Sequence, residues 1–191
     1  MKKYIPLLFC FITVSVFAQQ KNPVGWTLAL QEVKSSDMIP FSAPVQSKAG
    51  AEFRLVINPQ APCYCYVVVQ SSDNGDIAVL YAGALAKGDW ASPVMKFTDP
   101  PGSESLFVVV SRGEQKDLAQ KISAVKSNSG SVQKRALMNE IFKVRSDASK
   151  FKETPEKPVL MGGATRGDPD KSMGVEYSGL ETYVKTISIE H

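Results

Sequence analysis

The chain has 191 residues, of which 43% are hydrophobic and 21% charged, and its formal net charge is +3. This length suits one domain whose core is large enough to fold without disulfides or metals. The small charge excess gives no electrostatic support for nucleic acid or an anionic membrane as a partner.

The first predicted element is a secretory signal peptide over residues 1–18. Two lysines near the start are followed by an apolar run that ends at Phe17 and then by Ala18, a small residue suited to cleavage. The run is shorter than the roughly twenty residues that a membrane-spanning helix needs. We therefore expect cleavage after Ala18, which leaves a single domain over 19–191 that has no transmembrane segment and is exported to the periplasm or secreted.

Two alternatives to cleavage after Ala18 are an uncleaved anchor and a lipoprotein attached through Cys10. The lipoprotein is disfavoured because Phe9 precedes Cys10, where such signals carry a small residue. Loss of Lys2 and Lys3 lowers the basic residues from 22 to 20 against 19 acidic ones, so the net charge falls to +1. The mature domain is expected to be nearly neutral and to bind no nucleic acid.

Short strands separated by turn signals dominate the prediction after the leader. Alternating or continuous apolar residues predict strands over 26–33, 52–57, 63–70, 76–81 and 105–111. The 63–70 segment has apolar side chains on both faces, which predicts a central strand that is buried on both sides. Prolines interrupt 39–45 and 90–97, so these segments predict edge or weaker strands.

A hairpin is predicted between the strands at 63–70 and 76–81. Asn74-Gly75 lies between them, and this dipeptide favours tight hairpin turns because both residues accept positive φ. Asp73 and Asp76 resemble part of a calcium loop, but their spacing is too short and no distal glutamate follows. We interpret these carboxylates as residues of the hairpin turn, where aspartate is common.

Two helices are predicted after Gly113, separated by a flexible break at 127–131. Their apolar positions at helical spacing are Leu118, Ile122 and Val125 in 114–126, and Leu137, Ile141, Val144 and Ala148 in 132–150. The pair predicts a helical hairpin, an insertion over about 114–150 that packs against the sheet. We interpret both apolar stripes as core packing, with a groove for a partner as the alternative.

The rest of the chain is predicted as a long loop over 151–177 and a last strand over 181–190. The loop is rich in glycine, proline and charge, and loops of this length often carry function, so an interaction site is expected there. The expected fold is mainly β with an α insertion. It is a β-sandwich of about seven strands with a helical hairpin before the last strand.

Histidine and cysteine usage restricts the available chemistry. His191 is the single histidine and lies at the end of the sequence, where chains usually fray, so Ser-His-Asp and Cys-His hydrolases are disfavoured. Cys63 and Cys65 are spaced to share one face of a strand, and we interpret them as two small buried hydrophobes. A redox or metal pair is the alternative, although the usual zinc ligands are lacking.

Other candidate motifs have simpler interpretations. Asp73 with Asp76, or Asp168 with Asp170, could in principle act as an acid–base pair, but aspartate is common in such turn and loop sequence. Residues 161–167 are glycine-rich but lack the Gly-Lys-Ser/Thr ending of a phosphate loop. The tripeptide 166–168 spells Arg-Gly-Asp, an adhesion motif that also occurs often by chance.

Several short motifs follow one another between about residues 50 and 111. They are Glu52-Phe53-Arg54-Leu55, Tyr64-Cys65-Tyr66-Val67, the Asp73-Asn74-Gly75 turn before Val79-Leu80-Tyr81, and Pro100-Pro101-Gly102-Ser103-Glu104 before Leu106-Phe107-Val108-Val109. In this order they resemble the bacterial domain-of-unknown-function 4384 family. The chain departs from that family at Tyr81-Ala82-Gly83, where many members carry a Phe-Pro-Asn-like segment. The resemblance implies a β-rich accessory module without known catalysis, and it assigns no site residues.

The sequence thus predicts an exported, non-enzymatic binding or accessory module of the bacterial envelope. Its expected partner is a protein or a glycan of the envelope. No catalytic residue, metal ligand or cofactor is assigned, and no binding residue is identified. The alternative is an enzyme of unusual type that uses carboxylate, lysine or tyrosine groups.

Overall fold

The structure is a computed structural model that describes residues 24–39, 44–48, 50–72, 74–97, 102–148, 157–160, 173–179 and 181–191. The elements within these ranges are β1 (Val24–Glu32), β2 (Met38–Ile39), β3 (Val45–Gln46), β4 (Glu52–Pro59), β5 (Cys63–Ser71), β6 (Ile77–Leu85), β7 (Trp90–Ala91), β8 (Met95–Lys96), β9 (Ser103–Ser111), α1 (Lys116–Ser127), α2 (Ser131–Ala148), β10 (Lys157–Leu160), β11 (Met173–Gly179) and β12 (Thr182–Glu190). The signal peptide predicted over 1–18 lies outside the described residues.

The strands form two sheets. One has the order β10-β11-β1-β4-β7, with β2 paired to β1 and β8 paired to β4. The other has the order β3-β12-β9-β5-β6, and its long strands all pair antiparallel. The mainly β fold with two helices before the last strands confirms the predicted class.

The sandwich core lies between the two sheets. Apolar side chains alternate along the strands, so each strand points every second residue inward. The largest fully buried members of this core are Trp26, Tyr177, Leu28, Leu30, Leu55, Ile57, Leu106 and Ile189. Because these residues come from both sheets, the two sheets share one hydrophobic core.

A helical layer covers the opposite face of the five-stranded sheet. The apolar stripes of α1 and α2 pack on side chains from β5, β9 and β12, and the main sheet contributors are Tyr66, Val68, Phe107, Val109 and Val184. The helix positions predicted to be buried are all buried. Core packing is therefore confirmed for both stripes, and β5 is the predicted strand that is buried on both faces.

The predicted loop over 151–177 is wrong in part, because it contains β10 and most of β11. These strands pair antiparallel with each other, and β11 also pairs with β1. Their glycine, proline and charge content hid them, since the pairing depends on β1, a distant part of the chain. Residues 151–156 and 161–172 of that prediction lie outside the described residues.

The connection from β5 to β6 is longer than a two-residue turn. Ser71 N donates to Asp76 O at 2.9 Å, and Asp76 N donates to the Asn74 side chain at 2.8 Å. Gly75 has a positive φ of 67°, whereas Asn74 does not take a positive φ. The predicted hairpin is thus present, with an asparagine side chain bracing its loop.

Neither α1 nor α2, the helices of the described chain, combines the length and the apolar character needed to cross a lipid bilayer.

Candidate functional site

The edges of the two sheets differ in length. Three of the four sheet edges are short: β10 has four residues, β3 has two, and β7 and β8, which share the edge beside β4, have two each. The fourth edge is β6, which has nine residues. In the described part of the chain β6 has a strand neighbour on its β5 side alone. A long edge strand presents a row of backbone N–H and C=O groups to another chain.

The sequence of β6 carries little protection against such pairing. Edge strands usually include lysine, another charge or proline, and Ile77–Leu85 contains none of them. One bulge is present, because Val67 pairs with Tyr81 while the next residue, Val68, pairs with Val79. Leu80 is therefore the extra residue, and it bends the strand locally. Beyond the bulge Gly83 has a positive φ of 154°, and the Tyr81 hydroxyl donates to the Ala84 carbonyl at 2.6 Å.

The two faces of β6 point to different layers. Ile77, Val79 and Ala82 pack toward the helical layer, whereas Tyr81 and Leu85 pack toward the sandwich core. A strand added beyond β6 would alternate its side chains in the same way. One set of those side chains would lie beside α1, and the other would lie beside the sandwich edge.

A groove of about 260 Å³ runs between β6 and α1. It is lined by Tyr64, Tyr66, Ala82 and Gly83 of the sheet, by Ala119, Ile122, Ser123 and Lys126 of α1, and by Glu114 just before that helix. The groove exists because the facing residues are small. Ala82 and Gly83 on the strand meet Ala119 and Ser123, which lie one turn apart on the helix.

Tyr66 joins the two walls of the groove. Its hydroxyl accepts a hydrogen bond from the Gln115 backbone N–H at 3.0 Å, at the start of α1. Burial raises the pKa of Tyr66, an effect that the Gln115 hydrogen bond opposes and the neighbouring Glu114 carboxylate reinforces. The hydroxyl therefore stays neutral at ordinary pH and holds the helix start against β5.

Two opposite charges border the groove. Glu114 precedes α1 and Lys126 lies in its last turn, and both side chains are exposed. Within the described ranges neither residue has an ion-pair partner. The groove therefore combines an apolar floor, two tyrosines and one free charge of each sign at its margins.

Cys63 and Cys65 lie in the sandwich core, as predicted. Both are free thiols and both are buried on the same face of β5. Burial raises the pKa of Cys65 strongly, with Cys63 as a lesser cause, and burial also raises the pKa of Cys63. Neutral thiols that solvent does not reach are poor nucleophiles, so these cysteines act as small core residues.

The expectation that His191 frays is wrong. Its backbone exchanges two hydrogen bonds with Gly102, at 2.8 and 3.0 Å, and its ring stacks on Phe97 with 6% of the side chain exposed. Nε2 lies 3.8 Å from Glu104, and among the described residues neither ring nitrogen has a hydrogen-bond partner. The histidine is fixed, but no serine or cysteine within the described ranges is hydrogen-bonded to it as a triad requires.

The carboxylate candidates do not form an acid–base pair in the described structure. Asp76 is exposed and pairs with Lys134 of α2 at 2.5 Å, which ties the β5–β6 loop to the helical layer. Asp73 lies outside the described residues, and so do Asp168, Asp170, the glycine-rich 161–167 and the 166–168 tripeptide.

A second cleft, of about 270 Å³, lies between the helices and the start of β12. It contains acidic side chains, but Lys143 lies there between Glu140 at 3.3 Å and Asp117 at 3.9 Å. Over the described ranges, no group of three or more histidine, cysteine, aspartate or glutamate residues is placed to hold a metal ion. Lys143 thus pairs with acidic side chains of the same cleft, and the β6 groove is the stronger candidate for a binding site.

Comparison of the chain with protein-family models, with curated proteins and with solved structures finds no match.

Sequence reasoning missed the β6 site because it ended that strand at Tyr81. The stretch Ala82-Gly83-Ala84-Leu85 has weak strand propensity, and nothing local marks β6 as an edge. The useful signal was the complete lack of charge and proline from Ile77 to Leu85.

Proposed function

We propose that this protein is an exported, non-enzymatic accessory module that binds an extended segment of another exported protein. The segment pairs as an additional strand with β6 and places side chains in the groove beside α1. The single observation that carries the proposal is the nine-residue, uncharged edge strand that borders a groove of about 260 Å³. This combination is the general arrangement for peptide recognition by strand addition.

Affinity in this mode comes from main-chain hydrogen bonds. On binding, outward N–H and C=O groups of β6 replace hydrogen bonds to water with hydrogen bonds to the partner backbone. Each of these new hydrogen bonds contributes about 1 kcal/mol net. Apolar contact adds to it, because side chains of the bound strand leave water against the half-buried Tyr64, Ala82 and Ala119. A sheet of five strands would thus become a sheet of six.

The chemistry of the edge favours a protein partner over a glycan. A row of backbone donors and acceptors at strand spacing matches another backbone. The resemblance of 50–111 to an accessory family and the predicted export signal support a binding role at the envelope. A glycan is an outcome that the following experiment distinguishes.

The experiment begins with phage-displayed random peptides of about twelve residues, long enough to cover a nine-residue strand. They are selected on the domain spanning 19–191, and a selected peptide is then resynthesised with single N-methyl groups along its length. Strand addition predicts that methylation at every second residue abolishes binding, because those N–H groups face β6. Methylation at the intervening residues should leave binding within about threefold.

A matched pair of domain variants locates the site. Ser123→Trp fills the groove from α1 without removing a buried contact, and it should lower peptide affinity at least about tenfold. Ala124→Trp places the same bulk at the next, exposed position outside the groove, and it should leave affinity unchanged.

Three results would contradict the proposal. They are a failure to select any binding peptide, a selected peptide whose N-methyl series lacks the two-residue period, and equal effects of the two tryptophan variants. Binding of envelope glycans that Ser123→Trp abolishes, with no peptide binding, would assign the groove to carbohydrate instead.

A further inference from the structure

We infer that the bound strand runs antiparallel to β6 and carries a basic residue about five or six positions before an acidic one. The basic side chain pairs with Glu114 and the acidic side chain pairs with Lys126. This inference rests on the proposed strand addition at β6 and specifies the partner that the groove selects.

The direction of α1 relative to β6 follows from two contacts. The start of α1 lies at the Tyr66 hydroxyl, and Tyr66 pairs with Ala82 in the second half of β6. The start of α2, just after α1 ends, lies at Asp76 before β6, through the bond from Lys134. Helix α1 therefore runs opposite to β6, and Glu114 lies toward the end of β6 where Leu85 is.

Antiparallel pairing is the geometry that the sheet already uses. Strands β12, β9, β5 and β6 pair antiparallel throughout, and antiparallel ladders are slightly more stable than parallel ones. A strand antiparallel to β6 runs in the same direction as α1. It therefore passes Glu114 first and Lys126 later, so its basic residue precedes its acidic one.

The spacing follows from the two repeat lengths. Lys116 and Lys126 are ten positions apart in α1, which is about 15 Å at the helical rise of 1.5 Å per residue, and the two non-helical steps from Glu114 bring the span to about 18–21 Å. An extended strand covers that distance in about five or six residues at roughly 3.3 Å each. The residues between the two charges alternate, and those that face the groove should be apolar because Ala119, Ile122 and Tyr66 line it.

These charges should determine selectivity more than affinity. Both side chains are exposed, so each ion pair is screened by solvent, and exposed pairs typically change binding only about two- to fivefold. Two pairs acting together would change the preference for the correct charge order over the reversed order by about tenfold.

The test uses two synthetic peptides that share a selected groove-binding core and differ in the order of their lysine and glutamate. The native domain should prefer lysine before glutamate. The double variant Glu114→Lys/Lys126→Glu, whose net charge is unchanged, should prefer the reversed order by a similar factor. In about 1 M salt, where the Debye length is about 3 Å, both preferences should disappear.

The control is Lys116→Glu, which reverses a charge at the exposed start of α1 outside the groove lining. It should leave the order preference intact. An unchanged preference in the double variant, with the two-residue N-methyl period retained, would overturn the charge inference and leave the strand-addition proposal standing. Loss of the N-methyl period in the native domain would overturn both.

Discussion

At the scale of single residues, Tyr66 links the helical layer to the sheet. Gln115, at the start of α1, makes no capping hydrogen bond with its side chain, which instead donates to Thr182 at 3.1 Å. The Gln115 N–H is satisfied by the Tyr66 hydroxyl at 3.0 Å. The phenol therefore accepts from the N-cap N–H, as a glutamate or glutamine at the third helical position does in a capping box.

Tyr66→Phe should lower the free energy of unfolding by about 1 kcal/mol, because one buried donor loses its acceptor while the ring packing is retained. Urea denaturation measures the change. Tyr64→Phe is the matched control, since the Tyr64 hydroxyl has no hydrogen-bond partner within the described residues. Equal losses in the two variants would contradict the capping role.

Cys65 should make stability fall at alkaline pH. Its folded pKa is raised by burial, whereas an unfolded thiol ionises near its ordinary pKa of about 8.5. The contribution is therefore fully present below about pH 8.5 and is lost as pH rises, because only the unfolded state releases the proton. The slope should reach about 1.4 kcal/mol per pH unit for this thiol.

The measurement is the free energy of unfolding between about pH 8.5 and pH 9.5, below the ordinary pKa of tyrosine. Cys65→Ala should reduce the slope to the part that Cys63 contributes, even if it lowers stability at every pH through its cavity. Parallel curves for the native chain and the variant would show that the thiol does not titrate differently on unfolding.

Sequence reasoning succeeded for residues whose environment follows from local alternation. The spacing of Cys63 and Cys65 put them on one face, and the apolar surroundings of β5 made that face a core face. It failed for His191, because the contacts that fix this ring come from Phe97 and Gly102, far away in the chain. A residue near the end of a strand can be held in place when the strand pairs along its full length, as β12 does with β9.

At the scale of elements, the helical hairpin is a structural layer that also forms one wall of the groove. Leu137 of α2 is fully buried against the sheet, so Leu137→Ala should destabilise the fold by about 2–5 kcal/mol. Val132→Ala on the same helix removes an apolar side chain that is 74% exposed. It should change stability by less than about 0.5 kcal/mol.

Thermal or urea unfolding measures both variants. A loss at Leu137 no larger than the loss at Val132 would mean that α2 does not pack on the five-stranded sheet.

Elements with a strong internal period were predictable, and elements defined by pairing were not. Both helices were recognised because apolar residues repeat at helical spacing, Leu118, Ile122 and Val125 in α1 and Leu137, Ile141 and Val144 in α2. Strands β10 and β11 were missed because β10 pairs with β11 and β11 with the distant β1, and no local pattern records these pairings. The edge position of β6 was hidden for the same reason. It depends on β6 having β5 as its single strand neighbour among the described residues, which no local pattern records.

At the scale of the whole molecule, β12 completes both cores. Tyr183, Ile187 and Ile189 enter the sandwich core, while Val184 on the other face meets the helices. Tyr183 also lies 5.0 Å from the Trp26 ring, which stacks on Tyr177 at 5.8 Å. The last strand thus contributes to the packing of the helical layer and of the sandwich core at the same time.

Amide hydrogen exchange of the 19–191 domain, alone and with the selected peptide, tests strand addition most directly. In the free domain the amides of β6 that face away from β5 should exchange quickly, and those that face β5 should exchange slowly. The peptide should slow the fast set across Ile77–Leu85 and leave β3, β7 and β8 unchanged. Protection that is absent from β6, or is largest at another edge, would contradict the account.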